Sequence, residues 1–324
     1  MARSTRVAEV VAVLAAAGGV MRGTEIIGAV SRQALRSAAA CGVVSRLGPN
    51  LYGLTGTLPT AAEAASCIRS WSAWDEEPSE DETRLLRYRH ETAFSLRGAL
   101  AMRCAAAHHD WMLLRQPSTV EVAVPRSRRL PRADGLSCHH RDLSDAELSD
   151  GVTAHRRTVV DCASALPFTE ALAVADSAMR AGAIGPIELE RAGLDYRGPN
   201  AAQVRRVCAL ADGQAANPFE SAVRAIAADV PEVRLVPQHH VADSSFQARV
   251  DLADERLRIV VEAEGKEFHA GTDDFEADCV RYNQLVARDW LVLRFTVHDT
   301  RARPEWMREM LRATVLVRRA QGYE

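Results

Sequence analysis

Three acidic side chains near the C-terminal end of the chain fall on two otherwise apolar stretches, Val250-Asp251-Leu252 and Ile259-Val260-Val261-Glu262-Ala263-Glu264-Gly265. Side chains alternate between the two faces of a β-strand, so Glu262 and Glu264 share one face while Val261 and Ala263 take the other. Neighbouring carboxylates at half-buried positions repel each other and resist ionising together, and a bound cation relieves both costs. Oxygen-only donors suit a hard divalent ion, Mg2+ or Mn2+. The chemistry such a trio could do is that of a bound divalent metal.

Whether Asp251 joins the glutamates depends on where the hairpin closes. A turn around Asp254 to Leu257 sets Asp251 opposite Glu262, with Cβ atoms about 5 Å apart. A tight turn at Asp254-Glu255 instead pairs Asp251 with Arg258 and leaves Glu262 about 13 Å further along. The hydrophobic pattern fits both.

The elements that must hold these acids begin at Asn217-Pro218-Phe219-Glu220, which reads as a helix start with Asn as N-cap, Pro in the first turn and Glu at the third position. Glu220 therefore has two readings, a capping group or a fourth acid aimed at the site. Strands are expected at about 233–241, 246–253 and 257–264. A helix over Asp274–Arg288, a strand over Trp290–Thr296 and a last helix opened by Pro304 follow. The order α-β-β-β-α-β-α makes an α/β sandwich around a mixed sheet.

At the other end, a helix over residues 5–17 ends at Gly18-Gly19, a short one spans Thr24–Ala29, and Ser31 caps a third over Arg32–Cys41. Val43–Leu47 and Leu51–Leu54 read as two strands joined by Gly48-Pro49-Asn50. Together they predict a winged helix-turn-helix over residues 1–56 whose third helix enters a DNA groove. Its polar residues Arg32, Gln33 and Arg36, with Arg46 in the wing strand, are the candidate DNA contacts. A winged domain that makes only protein contacts is the alternative.

Residues 57–82 read as a linker carrying the acidic run Asp75 to Glu82, and residues 83–210 as an α+β middle region. That region holds strands over Thr119–Val124 and Leu136–His140, the basic stretch Pro125–Arg132, and helices over Thr158–Ala165 and Phe168–Ala181. The adjacent pairs His108-His109, His139-His140 and His239-His240 lack the i,i+4 spacing of a helical metal site.

The 324 residues carry 40 basic and 43 acidic side chains, a net charge of -3 that neither nominates nor excludes nucleic acid. The distribution is uneven, with six arginines against two glutamates in residues 1–55. Seven cysteines, odd in number and without a C-x-x-C pair, point to reduced thiols and a cytoplasmic location. No apolar run has the length of a membrane span, and the alanine-rich stretch Val7–Ala17, interrupted by Glu9, is unlike a signal peptide.

The set Asp251, Glu262-Ala263-Glu264-Gly265, Phe268-His269, Asp278, Arg281-Tyr282-Asn283, Leu285, Trp290 and Val292-Leu293-Arg294-Phe295 resembles the DUF559 family. These endonuclease-like domains are related to the very-short-patch-repair nucleases and the PD-(D/E)XK superfamily. The likeness covers about 217–318, and the chain before it resembles AbiEi-type antitoxin and regulator proteins. The resemblance implies a restriction-endonuclease-like αβββαβ sandwich over 217–324, with Asp251 and Glu262 as metal ligands. Glu264 stands where lysine is usual in that family, which leaves the general base open between Glu264 and Lys266, the latter on the same face if the strand continues. The resemblance further implies that His269 contacts phosphate or protonates the leaving oxygen. Glu220 would be the helix acid, and Arg281 and Arg294 would contact the scissile phosphate or brace the acids. The expected function is a Mg2+- or Mn2+-dependent DNA endonuclease of repair or defence, directed by its winged helix. The alternative is a DNA-binding transcriptional regulator or antitoxin-like protein with a catalytically inactive nuclease fold. DNA is the expected partner and a membrane is not; a homodimer and a toxin-like protein partner stay open.

Overall fold

A computed structural model describes residues 2–17, 19–48, 50–55, 68, 70–71, 73–129, 135–264 and 272–324. The chain is a mixed α/β protein that divides into two compact units, one formed by residues 1–110 and 116–161, the other by residues 111–115 and 162–324.

The first unit opens with α1 (Ala2–Ala16), β1 (Val20–Arg22), α2 (Gly23–Ala29), α3 (Arg32–Ala40), β2 (Val44–Gly48) and β3 (Leu51–Leu54). Val10 and Leu14 of α1, Ile26 of α2, Ala34, Leu35 and Ala38 of α3 and Val44 of β2 form its core. Ser31 caps α3 as its sequence suggests, the hydroxyl accepting from the Ala34 N–H at 3.1 Å. The strand β1 was not expected, because three residues are too few to show a period of two. It pairs antiparallel with β3, giving the strand order β1-β3-β2.

The acidic run divides: Asp75, Glu76 and Glu77 stay exposed outside any helix, whereas Glu80, Asp81 and Glu82 join one. Ser79 caps α4 (Glu80–Ser95), accepting from the Glu82 N–H at 3.1 Å, and Glu80, Asp81 and Glu82 occupy the first turn. Carboxylates are favoured there by the partial positive charge of the helix N-terminus. Helix α4 packs on the small sheet and on the strands β4 (Ala99–Leu100) and β5 (Val120–Val124). With β6 (Leu136–His140), β7 (Leu148–Ser149) and β8 (Val152–Thr153), these form a five-stranded sheet in the order β6-β5-β4-β8-β7. Helix α5 (Met102–His108) packs against β5, and α6 (His155–Ala165) closes this unit and opens the next.

The units part at 161/162, whereas the sequence pattern suggested a middle region running to residue 210. Helices α7 (Phe168–Arg180), α8 (Pro186–Asp195) and α9 (Ala201–Leu210) group with the C-terminal sheet instead. The reason is burial. Helix α7 packs along α10 (Pro218–Ala227), and across that contact Arg224 pairs with the buried Asp176 at 2.6 Å. A boundary between them would leave that carboxylate unpaired.

The rest of the second unit runs β9 (Val236–Ala242), β10 (Gln247–Asp254), β11 (Ile259–Glu264), α11 (Thr272–Ala287), β12 (Leu291–Thr296), α12 (Val297–Ala302) and α13 (Pro304–Ala320). This is the expected order with one short helix, α12, added. The sheet order is β12-β11-β10-β9, with β11 and β12 parallel and the other pairs antiparallel. Val241, Val250, Ala253, Val260, Leu285 and Trp290 form a core in which α11 covers one face of the sheet. No described helix is long and apolar enough to cross a membrane.

Candidate functional site

The hairpin between β10 and β11 closes in the register that pairs Leu252 with Val261, Ala253 with Val260 and Asp254 with Ile259. Asp254 fixes it. Its buried carboxylate accepts from the Leu257 N–H at 3.2 Å across the turn and from the Arg234 N–H at 2.7 Å. Arg258 completes the loop with a left-handed φ of 46°. An aspartate bonding the backbone three residues ahead stabilises this four-residue loop over the tighter alternative.

One step further along the ladder, Asp251 and Glu262 stand opposite each other. Asp251 Oδ2 accepts from the Ala263 N–H at 2.9 Å, and Glu262 Oε2 from the Asp251 N–H at 3.4 Å. Glu220, at the start of α10, comes to the same place. Asn217 caps the helix as expected, accepting from the N–H groups of Phe219 and Glu220. The Glu220 carboxylate accepts from the Ala216 N–H, Asn217 Nδ2 and Gln238 Nε2, each at 2.9 Å.

Electrostatics binds the three acids into one site. Burial, and then the charge of Asp251, raise Glu220 from the ordinary carboxylate value to about 7. Burial and mutual repulsion push Glu262 up, and burial raises Asp251 beside it. Such carboxylates hold a proton that a cation could displace.

The arginines brace. Arg281 of α11 donates to Glu262 Oε1 at 2.8 Å and to Asp278 at 3.2 Å. Glu264 accepts from the Tyr282 hydroxyl at 2.7 Å and from Arg294 Nε at 2.6 Å, and the Arg294 guanidinium lies 4.3 Å from the Tyr282 ring centre. Burial, and then the bond to Glu264, hold the Tyr282 phenol protonated. Glu264 thus sits at the end of the acidic row with two donors fixing it. Lys266 and His269 lie outside the described residues.

The donor set fits a hard divalent ion held by two carboxylates. Among the described residues no group of three His, Cys, Asp or Glu side chains forms a metal cage. Mg2+, however, is commonly held by one or two carboxylates and keeps several waters, a requirement that Asp251 and Glu262 meet. The His90–His108 pair does not compete. The rings of His90 and His108 stack nearly parallel at 5.3 Å, which points their in-plane lone pairs side by side instead of toward one point.

On the first unit, Arg32, Gln33 and Arg36 are exposed on α3 while Ala34, Leu35 and Ala38 are buried, and Arg46 is exposed on β2. Sequence reasoning gave no role to Tyr282, quoted only as part of the family resemblance, or to Gln238. Tyr282 had a signal, since it neighbours Arg281 on a helix that must cover the acids; Gln238 had none.

Two proteins of Mycobacterium tuberculosis resemble the chain, the uncharacterized proteins MT2308 of strain CDC 1551 / Oshkosh and Rv2248 of strain ATCC 25618 / H37Rv. Each is 30% identical to it over 192 residues, which cover 57% of this chain and 69% of the relative. No family model matches the chain, and no solved structure is significantly similar to it.

Proposed function

This chain belongs to the family of the uncharacterized mycobacterial proteins MT2308 and Rv2248, and we propose that it is a Mg2+- or Mn2+-dependent DNA endonuclease directed by an N-terminal winged helix. The observation that carries this reading is the placement of a half-buried Asp251 and a buried Glu262 opposite each other, both raised, with the buried Glu220 beside them. We read the second unit's sheet and its flanking helices as a restriction-endonuclease-like sandwich, and the first three helices with their sheet as the DNA-reading module.

Mg2+ at Asp251 and Glu262 would neutralise charge building on the phosphoryl oxygens and lower the pKa of a water. The protein's own part is positional. Asp251 and Glu262 present oxygens from adjacent strands, and Arg281 fixes the rotamer of Glu262 through one oxygen while leaving the other toward Asp251. Glu264, oriented by Tyr282 and Arg294, is the group placed to accept the proton of the attacking water. On α3, Arg32 and Arg36 supply phosphate or guanine contacts and Gln33 an amide suited to adenine.

A second reading has its own observation. Because Arg281 already pairs with Glu262 and Arg294 with Glu264, the site could be electrostatically closed, leaving a DNA-binding regulator with a silent nuclease fold. Supercoiled plasmid separates the two. With Mg2+ or Mn2+ the full-length protein should nick it, Asp251→Ala should lose at least about 100-fold of the rate, and Arg32→Ala with Arg36→Ala should lower the salt dependence of duplex binding by about two phosphate contacts. Duplex binding indifferent to metal and to Asp251→Ala, with no cleavage of duplex, single-stranded or mismatched DNA, would establish the regulator instead.

A further inference from the structure

We propose that Gln238 is a positioning residue of the acidic site, holding Glu220 toward Asp251 and Glu262 through a neutral donor; the assignment rests on the reading of those acids as a divalent-cation site. Gln238 lies in the middle of β9 yet has a φ of 52°. A non-glycine residue in the left-handed region is strained, and within a strand it is usually found at a bulge. There is no bulge here. Pro237 pairs with Leu252 and His239 with Val250, so the register does not shift across Gln238; the ladder skips only the Gln238–Asp251 pair, and no extra residue explains the backbone of Gln238. Strain that the surrounding structure enforces without a topological need is a mark of a functional position.

What the conformation achieves is visible in its bond. The Gln238 amide donates to Glu220 Oε2 at 2.9 Å, on the oxygen that also accepts from the Ala216 N–H, while Asn217 holds the other oxygen. All three donors are neutral. A lysine or arginine in place of Gln238 would orient Glu220 equally well but cancel the negative charge that a cation needs, as Arg281 partly does at Glu262. Among the described residues neither Glu220 nor Asp251 has an arginine or lysine in ion-pair contact, and Arg180 acts on Glu220 only from further away. An amide directs the carboxylate without cancelling the charge it takes on when a cation displaces its proton.

The test uses the full chain, Mn2+ binding by calorimetry and thermal unfolding without metal. Gln238→Gly tolerates the left-handed backbone and Gln238→Ala does not, so the alanine variant should melt roughly 2 °C lower than the glycine variant. Both should weaken Mn2+ binding by roughly 5- to 10-fold, because both lack the amide. In a Glu220→Gln background the same substitutions should change Mn2+ affinity less than about 2-fold, since the partner they act through is gone. If Mn2+ affinity follows melting temperature, with the glycine variant binding like wild type, or if the loss is equal in both backgrounds, Gln238 is structural and the proposal is overturned. Wild-type protein that binds no Mn2+ overturns the cation reading itself, and this assignment with it. Should Gln238→Ala fail to fold, the glycine variant and its double-variant partner decide alone.

Discussion

Buried acids occur in both units, but their counter-charges differ. In the first unit Asp161 is fully buried and has two arginines, Arg157 at 2.9 Å and Arg141 at 3.3 Å, and Arg157 reaches Glu147 as well at 2.6 Å. Glu121 is matched by Arg103 at 3.0 Å and by the backbone N–H groups of Arg103 and Cys104 at the start of α5. In the second unit, among the described residues, Arg281 is the one arginine in ion-pair contact with Asp251, Glu262 or Glu220, and of these three it reaches Glu262. Acids supplied with enough arginine are braces that hold elements together. A cluster left short of positive charge gains nothing for stability and is the arrangement expected where a ligand must complete the balance.

The largest test of this contrast is in the brace. Arg157→Ala takes one of two arginines from the buried Asp161 and should destabilise the protein by about 2–3 kcal/mol in urea unfolding. Glu262→Gln should have the opposite sign without metal, because it removes repulsion from Asp251. If it destabilises as much as Arg157→Ala, the two regions are not different in kind.

Next in size is the response to pH. The folded-state pKa of Glu220 is raised from 4.5 to about 7, so the folded protein holds a proton that the unfolded chain has released. The resulting stability is full below the unfolded value and lost as pH rises through the folded one. Glu262 and Asp251, shifted the same way, reinforce the trend. Metal-free protein should therefore lose on the order of 2 kcal/mol between about pH 5 and about pH 8. Glu220→Gln should flatten that slope, and Mg2+ should restore most of the loss at the higher pH. A metal-free protein equally stable at both ends would show that these acids are not in competition.

The smallest effect belongs to the exposed pair. With the Arg294 side chain 43% exposed, Arg294→Ala should cost less than about 1 kcal/mol of stability. It should lower nicking more than it lowers stability, because Glu264 would then lose the guanidinium that helps direct it. Equal losses in both measurements would make Arg294 a surface contact and nothing more.

Much of this was legible in the residues before any coordinates. The Asn217 cap, the Ser31 cap and the order of the C-terminal elements follow from patterns a few residues long. The choice between two hairpin registers was not legible, since both kept the same apolar positions together. It fell to the Asp254 carboxylate bonding the Leu257 and Arg234 N–H groups, and the second of these comes from outside the hairpin. The second half of the acidic run was misjudged for a related reason. Six acids in eight positions resemble a solvated linker, yet Ser79 starts a helix among them that then packs on two sheets.

Alternation along β10 and β11 by itself determined that Glu262 and Glu264 share a face and that the flanking valines are core, because strand geometry is set by neighbouring backbone dihedrals. Only the tertiary structure decided which charges meet. Glu220 arrives from a helix thirty-one residues before Asp251, Arg281 and Tyr282 from a helix after it, and Gln238 from a neighbouring strand in a conformation its residue type does not favour. A carboxylate's protonation and partners depend on every group within a few ångströms, and the chain brings those groups together from segments that share no local pattern.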